Sequence, residues 1–281
     1  MLNGVLDVSG PAAPGGKWAE FSGRLWLRGA GAAYSSGVKP ECDAILQAAG
    51  LSSTLDATGA AEKYTYDSLA TGLKTVTVYL YHYIETGVWV KHIITAARAS
   101  RVVLRFKNGQ PGECEFTLRG RYIAPTDASV ITPTYQTTVA PNWATASGTA
   151  AFMVGSFATG VASECTVTIE NSLAARGSAN AIDGLAGYLP SQRKITVAAT
   201  IEGVRIADYN QFLKWSTPTA EALALRLPGG TGTQYNRLTL DGDKLAAVEA
   251  PSYGENSGLV NVALSGLLSP EGANRCRIVF N

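Results

Sequence analysis

The chain has 281 residues, of which 46% are apolar but only 16% charged, with a formal net charge of +1. Globular chains usually carry about 25% charged residues, so either other subunits cover much of the surface or this is a Gly- and Ala-rich β protein that is simply less charged. A balance this near neutral excludes the basic field that grips a nucleic-acid backbone, though not a protein that encloses DNA without holding it.

Residues 1–20 are rich in Pro and Gly and read as an N-terminal arm; they lack a basic region and a long apolar run, so no signal peptide is expected. No stretch of the chain reaches the ~18 apolar residues that a membrane span needs. A strand follows in EFSGRLWLRG, with Phe21, Gly23, Leu25 and Leu27 on one face. PECDAILQAAG reads as a short helix, in which Pro40 suits the first turn, Ile45, Leu46 and Ala49 form the apolar stripe, and Gly50 suits the C-terminal cap. The Ser-, Thr- and Gly-rich residues 51–73 read as a loop.

Three strand-like runs come next, TVTVYLYHY, VWVKHIITAAR and RVVLRFK. The turn and strand GQPGECEFTLRG then set Cys114, Phe116 and Leu118 against Glu113, Glu115, Thr117 and Arg119. From residue 122 to 159 the period fades into a Pro-, Thr- and Ala-rich connector, in which Trp143 and Phe152 are expected to pack. A connector this long marks a boundary or an arm lying on a neighbour.

After the strand CTVTIENSL the order of the first half recurs. RKITVAATIE matches the first strand, and DYNQFLKW matches the helix, with Asp208 as its N-cap and Phe212 on its apolar face. GLVNVALSG matches the hairpin strand, with Val260, Val262 and Leu264 in register and Asn261, Ala263 and Ser265 facing away. This repeat of pattern suggests an arm over 1–20, a first unit over 21–123, a connector arm over 124–160 and a second unit over 161–281. Three such chains would present six similar units in a closed ring. Two similar β-sandwich domains with no ring remain open.

Catalytic motifs are sparse. Cys42, Cys114, Cys165 and Cys276 are scattered and read as reduced thiols, Cys114 as a core residue. His82 shares a strand face with Val76, Val78 and Leu80 and reads as half-buried. No HExxH or GxSxG run occurs, PGGTGTQY lacks the Gly-Lys-Ser/Thr of a phosphate loop, and LDGDK reads as a turn. The expectation is no enzyme, no metal and no cofactor. Tyr79, Tyr81 and Tyr83 share a strand face that suits subunit packing or ligand contact.

In order along the chain stand Ser22-Gly23-Arg24, a short helix ending at Gly50, Tyr64-Thr65-Tyr66-Asp67-Ser68, Thr86-Gly87, Ala96-Ala97-Arg98-Ala99, Gly109-Gln110-Pro111-Gly112 and Thr117-Leu118-Arg119-Gly120-Arg121-Tyr122. This series resembles the major tail tube proteins of long-tailed phages with non-contractile tails. It departs from their pattern where Tyr66 replaces a proline, Thr86 an aspartate, and Ala96 and Ala99 glycines.

The resemblance implies a mainly β chain with short helices, built of two sandwich- or barrel-like tube units that join a continuous inner β-barrel. It implies self-association into rings of three chains, or six, stacked into a tube within the virion tail. Assembly would take place in the host bacterial cytoplasm, with a tape measure protein and a tail terminator or distal tail protein as partners. DNA would pass through without specific binding. A lining that lets DNA slide must avoid clustered cations, which makes Glu113, Glu115, Thr117, Asn261 and Ser265 the lumen candidates. Arg119 and Arg121 then join Tyr79, Tyr81, Tyr83 and Trp143 as inter-subunit candidates. Ser52, Ser53, Thr54 and Asp56 are the inter-ring candidates, in a loop expected to be removable without unfolding. A neck or terminal ring protein of the same fold and a carbohydrate-binding β-sandwich are the alternatives.

Overall fold

The computed structural model of the chain describes residues 17–66, 73–129, 152–155, 162–181, 184–217, 219–227, 237–256, 258–269 and 276–281, with residues 132 and 157. The first half holds β1 (Trp18–Trp26), α1 (Asp43–Ala48), β2 (Leu51–Leu55), β3 (Glu62–Tyr66), β4 (Val76–Glu85), β5 (Val88–Lys107) and β6 (Glu113–Ala128). The second holds β7 (Phe152–Val154), β8 (Ala162–Gly177), β9 (Leu185–Glu202), α2 (Gln211–Ser216), β10 (Glu221–Leu227), β11 (Leu238–Ala247), β12 (Ser252–Asn256), β13 (Leu259–Leu268) and β14 (Arg277–Phe280).

The described strands form one antiparallel 14-stranded sheet along the path β1-β6-β5-β8-β9-β13-β11-β14-β3-β2. β12 extends the first stretch by pairing with β13. Beyond β13 the path turns back through β11, and residues of both stretches meet in one core cluster. Alternation explains the layering: Val102, Leu104, Val167, Ile169, Val197, Ile201 and Val262 are buried on one face of the first stretch, and every second residue points the other way.

Two patterns within the sheet match. β1 pairs with β6 and β6 with β5, and likewise β9 pairs with β13 and β13 with β12. A short helix follows β1 and another follows β9.

Several sequence expectations are corrected. The two runs VWVKHIITAAR and RVVLRFK are one 20-residue strand. Its break is a bulge near Ala96, whose φ is +50°. Gly120 sits beneath this bulge, where a Cβ would come within 2.7 Å of the Thr95 carbonyl oxygen; only glycine fits that approach.

Residues 51–66 are not a loop but the hairpin β2–β3, paired onward to the C-terminal strand β14. Tyr64 and Tyr66 are core residues, and the buried carboxylate of Glu62 meets Lys39 Nζ at 2.7 Å and is hydrogen-bonded by Ser53. Removing this segment removes part of the core, so it is not dispensable.

The α2 N-cap is Asn210, whose side chain accepts from Leu213 N–H, rather than Asp208. Asp241 and Asp243 lie within β11, not in a turn, and Asp241 binds Arg277 at 2.8 Å. β1 starts at Trp18, inside the stretch read as an arm, and Phe152 lies in β7, which pairs with β10. Trp143, residues 1–16 and the run PGGTGTQY from 228 to 235 lie outside the described residues.

Candidate functional site

One face of the β1–β12 stretch packs on the core and leaves the other free. The free face is continuous, because the strand registers link it residue by residue. Trp26 pairs with Glu113, Glu113 with Arg105, Arg105 with Thr166, Thr166 with Ala198 and Ala198 with Ser265. Directly paired residues project from the same face. Glu113 and Ser265, which lie in different halves of the chain, therefore stand in one row. Glu115 and Thr117 follow along β6, and Asn261 along β13 beside Glu202. The five lumen candidates are thus brought onto a single surface.

On the core side the same alternation places Cys114 and Leu118 in the interior. Phe116 is half-buried, 6.0 Å from the Phe21 ring, and it fills the space left by Gly23, where a Cβ would meet Phe116 Cζ at 2.7 Å. The Ser-Gly-Arg and Thr-x-x-Gly-x-Tyr runs of the sequence therefore mark two close approaches inside one sheet.

The free face carries many charges, and four of its arginines are paired, whereas Arg121, opposite Trp18 on the same face, encloses its Nε without a hydrogen-bond partner. Arg24 reaches Glu113 at 3.4 Å, Arg105 reaches Glu115 at 3.0 Å and Arg101 reaches Glu170 at 3.9 Å. Arg119 sends Nε and Nη2 to one oxygen of Glu20, at 3.1 and 2.8 Å, and stacks over Trp18. Lys107 stands directly opposite Glu164, and Lys194 opposite Glu170. Ser22 and Thr117 share a hydroxyl hydrogen bond of 3.0 Å. Arg119, placed by sequence at a subunit contact, lies on the same face as Glu115 and Thr117. Two shallow depressions mark this face, one around Ser22, Arg101 and Thr117 and the other around Thr166, Thr200 and Ser265.

The tyrosines stand elsewhere. Tyr79, Tyr81 and Tyr83 lie opposite Ile93, Lys91 and Trp89 where β4 and β5 run on past β1, and Tyr83 touches Trp89 at 5.3 Å. On the other face of that hairpin His82 is exposed rather than half-buried, its ring 5.0 Å from His92. Ser52, Ser53 and Thr54 lie on β2, the last strand of the path, and Asp56 lies in the turn after it.

Reactive chemistry is muted. Burial raises the Cys114, Cys165 and Cys276 thiols from 9.0 to about 12 and the Cys42 thiol well above its ordinary value, which leaves all four poor nucleophiles. Among the described residues no group of three or more His, Cys, Asp or Glu side chains could hold a metal. No described helix is long and apolar enough to cross a membrane.

Among the described residues the site is thus a broad antiparallel sheet with a polar, charge-bearing free face, edged by β1 and β12, each paired on one side. The chain belongs to the phage tail tube protein family, whose sequence pattern matches residues 4–266. It is thus a non-enzymatic component of a phage tail. None of the curated proteins compared with the chain matches it.

Proposed function

We propose that three copies form a ring and that rings stack into the tube of a non-contractile, long-tailed phage, with DNA passing through the bore. In this reading β1-β6-β5-β8-β9-β13-β12 is one third of a continuous inner barrel, whose free face lines the channel. The observation that carries it is the cross-sheet row from Glu113 to Ser265, which makes one surface from both halves of the chain.

Two further features support the reading. Among the described residues β1 pairs only with β6, and β12 only with β13; open edges of this kind invite strands from a neighbour, and closing a barrel removes them. The matching patterns β1-β6-β5 and β9-β13-β12, each with a short helix, support two tube units per chain and hence three chains per ring.

The paired charges suit passage of DNA. A guanidinium already bonded to a carboxylate adds little net field for a phosphate to find, and a phosphate grip requires unneutralised cations. The lining is therefore close to neutral and polar rather than adhesive. Ring assembly in the host cytoplasm, with a tape measure protein inside and terminal proteins at the ends, belongs to the same proposal.

Electron microscopy of concentrated protein, with end-on views sorted by rotational symmetry, tests it. Hollow rings with threefold symmetry are expected. Sixfold rings would keep the tube and refute two units per chain, while compact particles without a bore would refute the channel.

A further inference from the structure

Two exposed apolar surfaces lie at opposite ends of the sheet. Among the described residues β1 pairs with β6 only as far as Trp18 opposite Arg121, and β8 pairs with β5 only as far as Arg101 opposite Glu170. Past those points β4, β5 and β6 continue together as a three-stranded arm. Its Tyr79, Tyr83, Ile84 and Ile123 are 40–60% exposed.

At the other end the sheet runs out at Glu202 opposite Asn261, and the chain turns into α2. There Ile206, Leu213, Trp215, Tyr253, Leu259 and Val260 are 40–61% exposed. Two contacts tie α2 and the end of β9 to the β12–β13 hairpin. Phe212 of α2 lies on Tyr253 of β12 at 5.4 Å, and Gly203 N–H bonds the Val260 carbonyl at 2.7 Å. β5 alone, at about 3.3 Å per residue, separates the two ends by roughly 60 Å.

Isolated exposed apolar residues are ordinary, but clusters at both poles of one chain mark contact surfaces. A two-fold pairing would cover one cluster and leave the other bare. A head-to-tail contact covers both and repeats without closing, which is how an open stack grows.

We infer that the β4–β5–β6 arm of one copy seats on the α2–β12–β13 apolar surface of a second copy in the next ring, making this the contact that lengthens the tube. The inference rests on the tube reading above. It assigns the arm's tyrosines to ring stacking, and it gives Leu213, Trp215, Tyr253 and Val260 the complementary role.

Cysteine cross-linking tests the contact, since the four native cysteines are buried. Chains carrying only Tyr83→Cys are mixed with chains carrying only Trp215→Cys, assembled, and treated with a short bis-maleimide. Covalent dimers are expected from the mixture and not from either variant alone, and a chain carrying both substitutions should give a ladder of multimers. In parallel, Leu213→Asp/Trp215→Asp and Tyr83→Asp/Ile84→Asp should each abolish tubes while circular dichroism stays that of wild type.

Tubes of wild-type length from both charged variants, or cross-links only between like sites, would overturn the inference. No hollow tubes from wild type, together with a Tyr83→Cys to Trp215→Cys product from the mixed variants, would refute the channel and retain this contact. Hollow tubes with no Tyr83→Cys to Trp215→Cys product would do the reverse.

Discussion

The two helices occupy similar places in the chain and are held very differently. α1 buries Ile45, Leu46 and Ala48 in the core. Its Asp43 accepts hydrogen bonds from Tyr64 Oη at 2.7 Å and Gln47 Nε2 at 2.8 Å. Its C-terminal end is capped by side chains of the other half: Asn171 Nδ2 donates to the Ala49 carbonyl at 3.0 Å, and Arg193 Nη2 to the Gly50 carbonyl at 2.6 Å. α2 buries only Gln211, whose Oε1 is enclosed without a hydrogen-bond partner. Beneath it runs a crevice lined by Val154, Val197, Leu245 and Leu264, while Leu213 and Trp215 face outward. A helix keyed into the core serves the fold, and one set loosely at the surface with apolar residues outward is available to a partner.

That contrast is sharpest at Tyr64, which is fully buried against Phe280 and anchors the hairpin behind α1. Tyr64→Ala should cost about 3–5 kcal/mol, the range of core aromatic truncations, read as a lower midpoint in urea. A negligible loss would show that the first half is as loosely held as α2.

Alkaline pH comes next, because both halves bury thiols. With Cys114, Cys165 and Cys276 raised from 9.0 to about 12 by desolvation, the folded state holds these protons more tightly than the unfolded chain does. Burial also raises Tyr64, reinforced by its bond to Asp43. Stability should therefore be complete below about pH 9 and fall progressively towards pH 12. A stability curve flat across that window would contradict the burial of these groups.

A smaller effect is expected at Arg193, which also stacks on Tyr66 at 4.2 Å. Arg193→Ala leaves the end of α1 poorly capped, at about 1–3 kcal/mol by the usual range for bonds to charged donors. Smallest is Leu213→Ala, expected within about 0.5 kcal/mol in the unassembled protein, as for surface sites generally. A large loss there would make α2 a core element and erase the contrast.

Much of the sheet was legible because its strands alternate cleanly: β1, β6, β8, the C-terminal part of β9 and β13 all show one apolar face in sequence. So was the sharing of a face by Glu115 and Thr117. What sequence missed has identifiable causes. The hairpin β2–β3 hides its apolar side in two tyrosines and a buried Glu62, so its polar composition reads as a loop. β5 reads as two strands because the bulge at Ala96 breaks its period. The second-half helix cap moved from Asp208 to Asn210 because both residue types accept from backbone N–H groups, and only geometry separates them. The arginine pairing on the free face depends on cross-strand registers, to which spacing along the chain gives no access. The exposed surface around α2 gave a faint signal in QFLKW, whose apolar residues lie on more than one side of the helix.

The channel itself is tested most directly by accessibility in assembled tubes. Thr117→Cys and Ser265→Cys place a thiol on the free face in each half of the chain, against a background of buried native cysteines. Both should react with a small maleimide and resist a maleimide attached to a large polymer that cannot enter the bore. Equal reaction with both reagents in intact tubes would put this face on the outside and contradict the proposed lining.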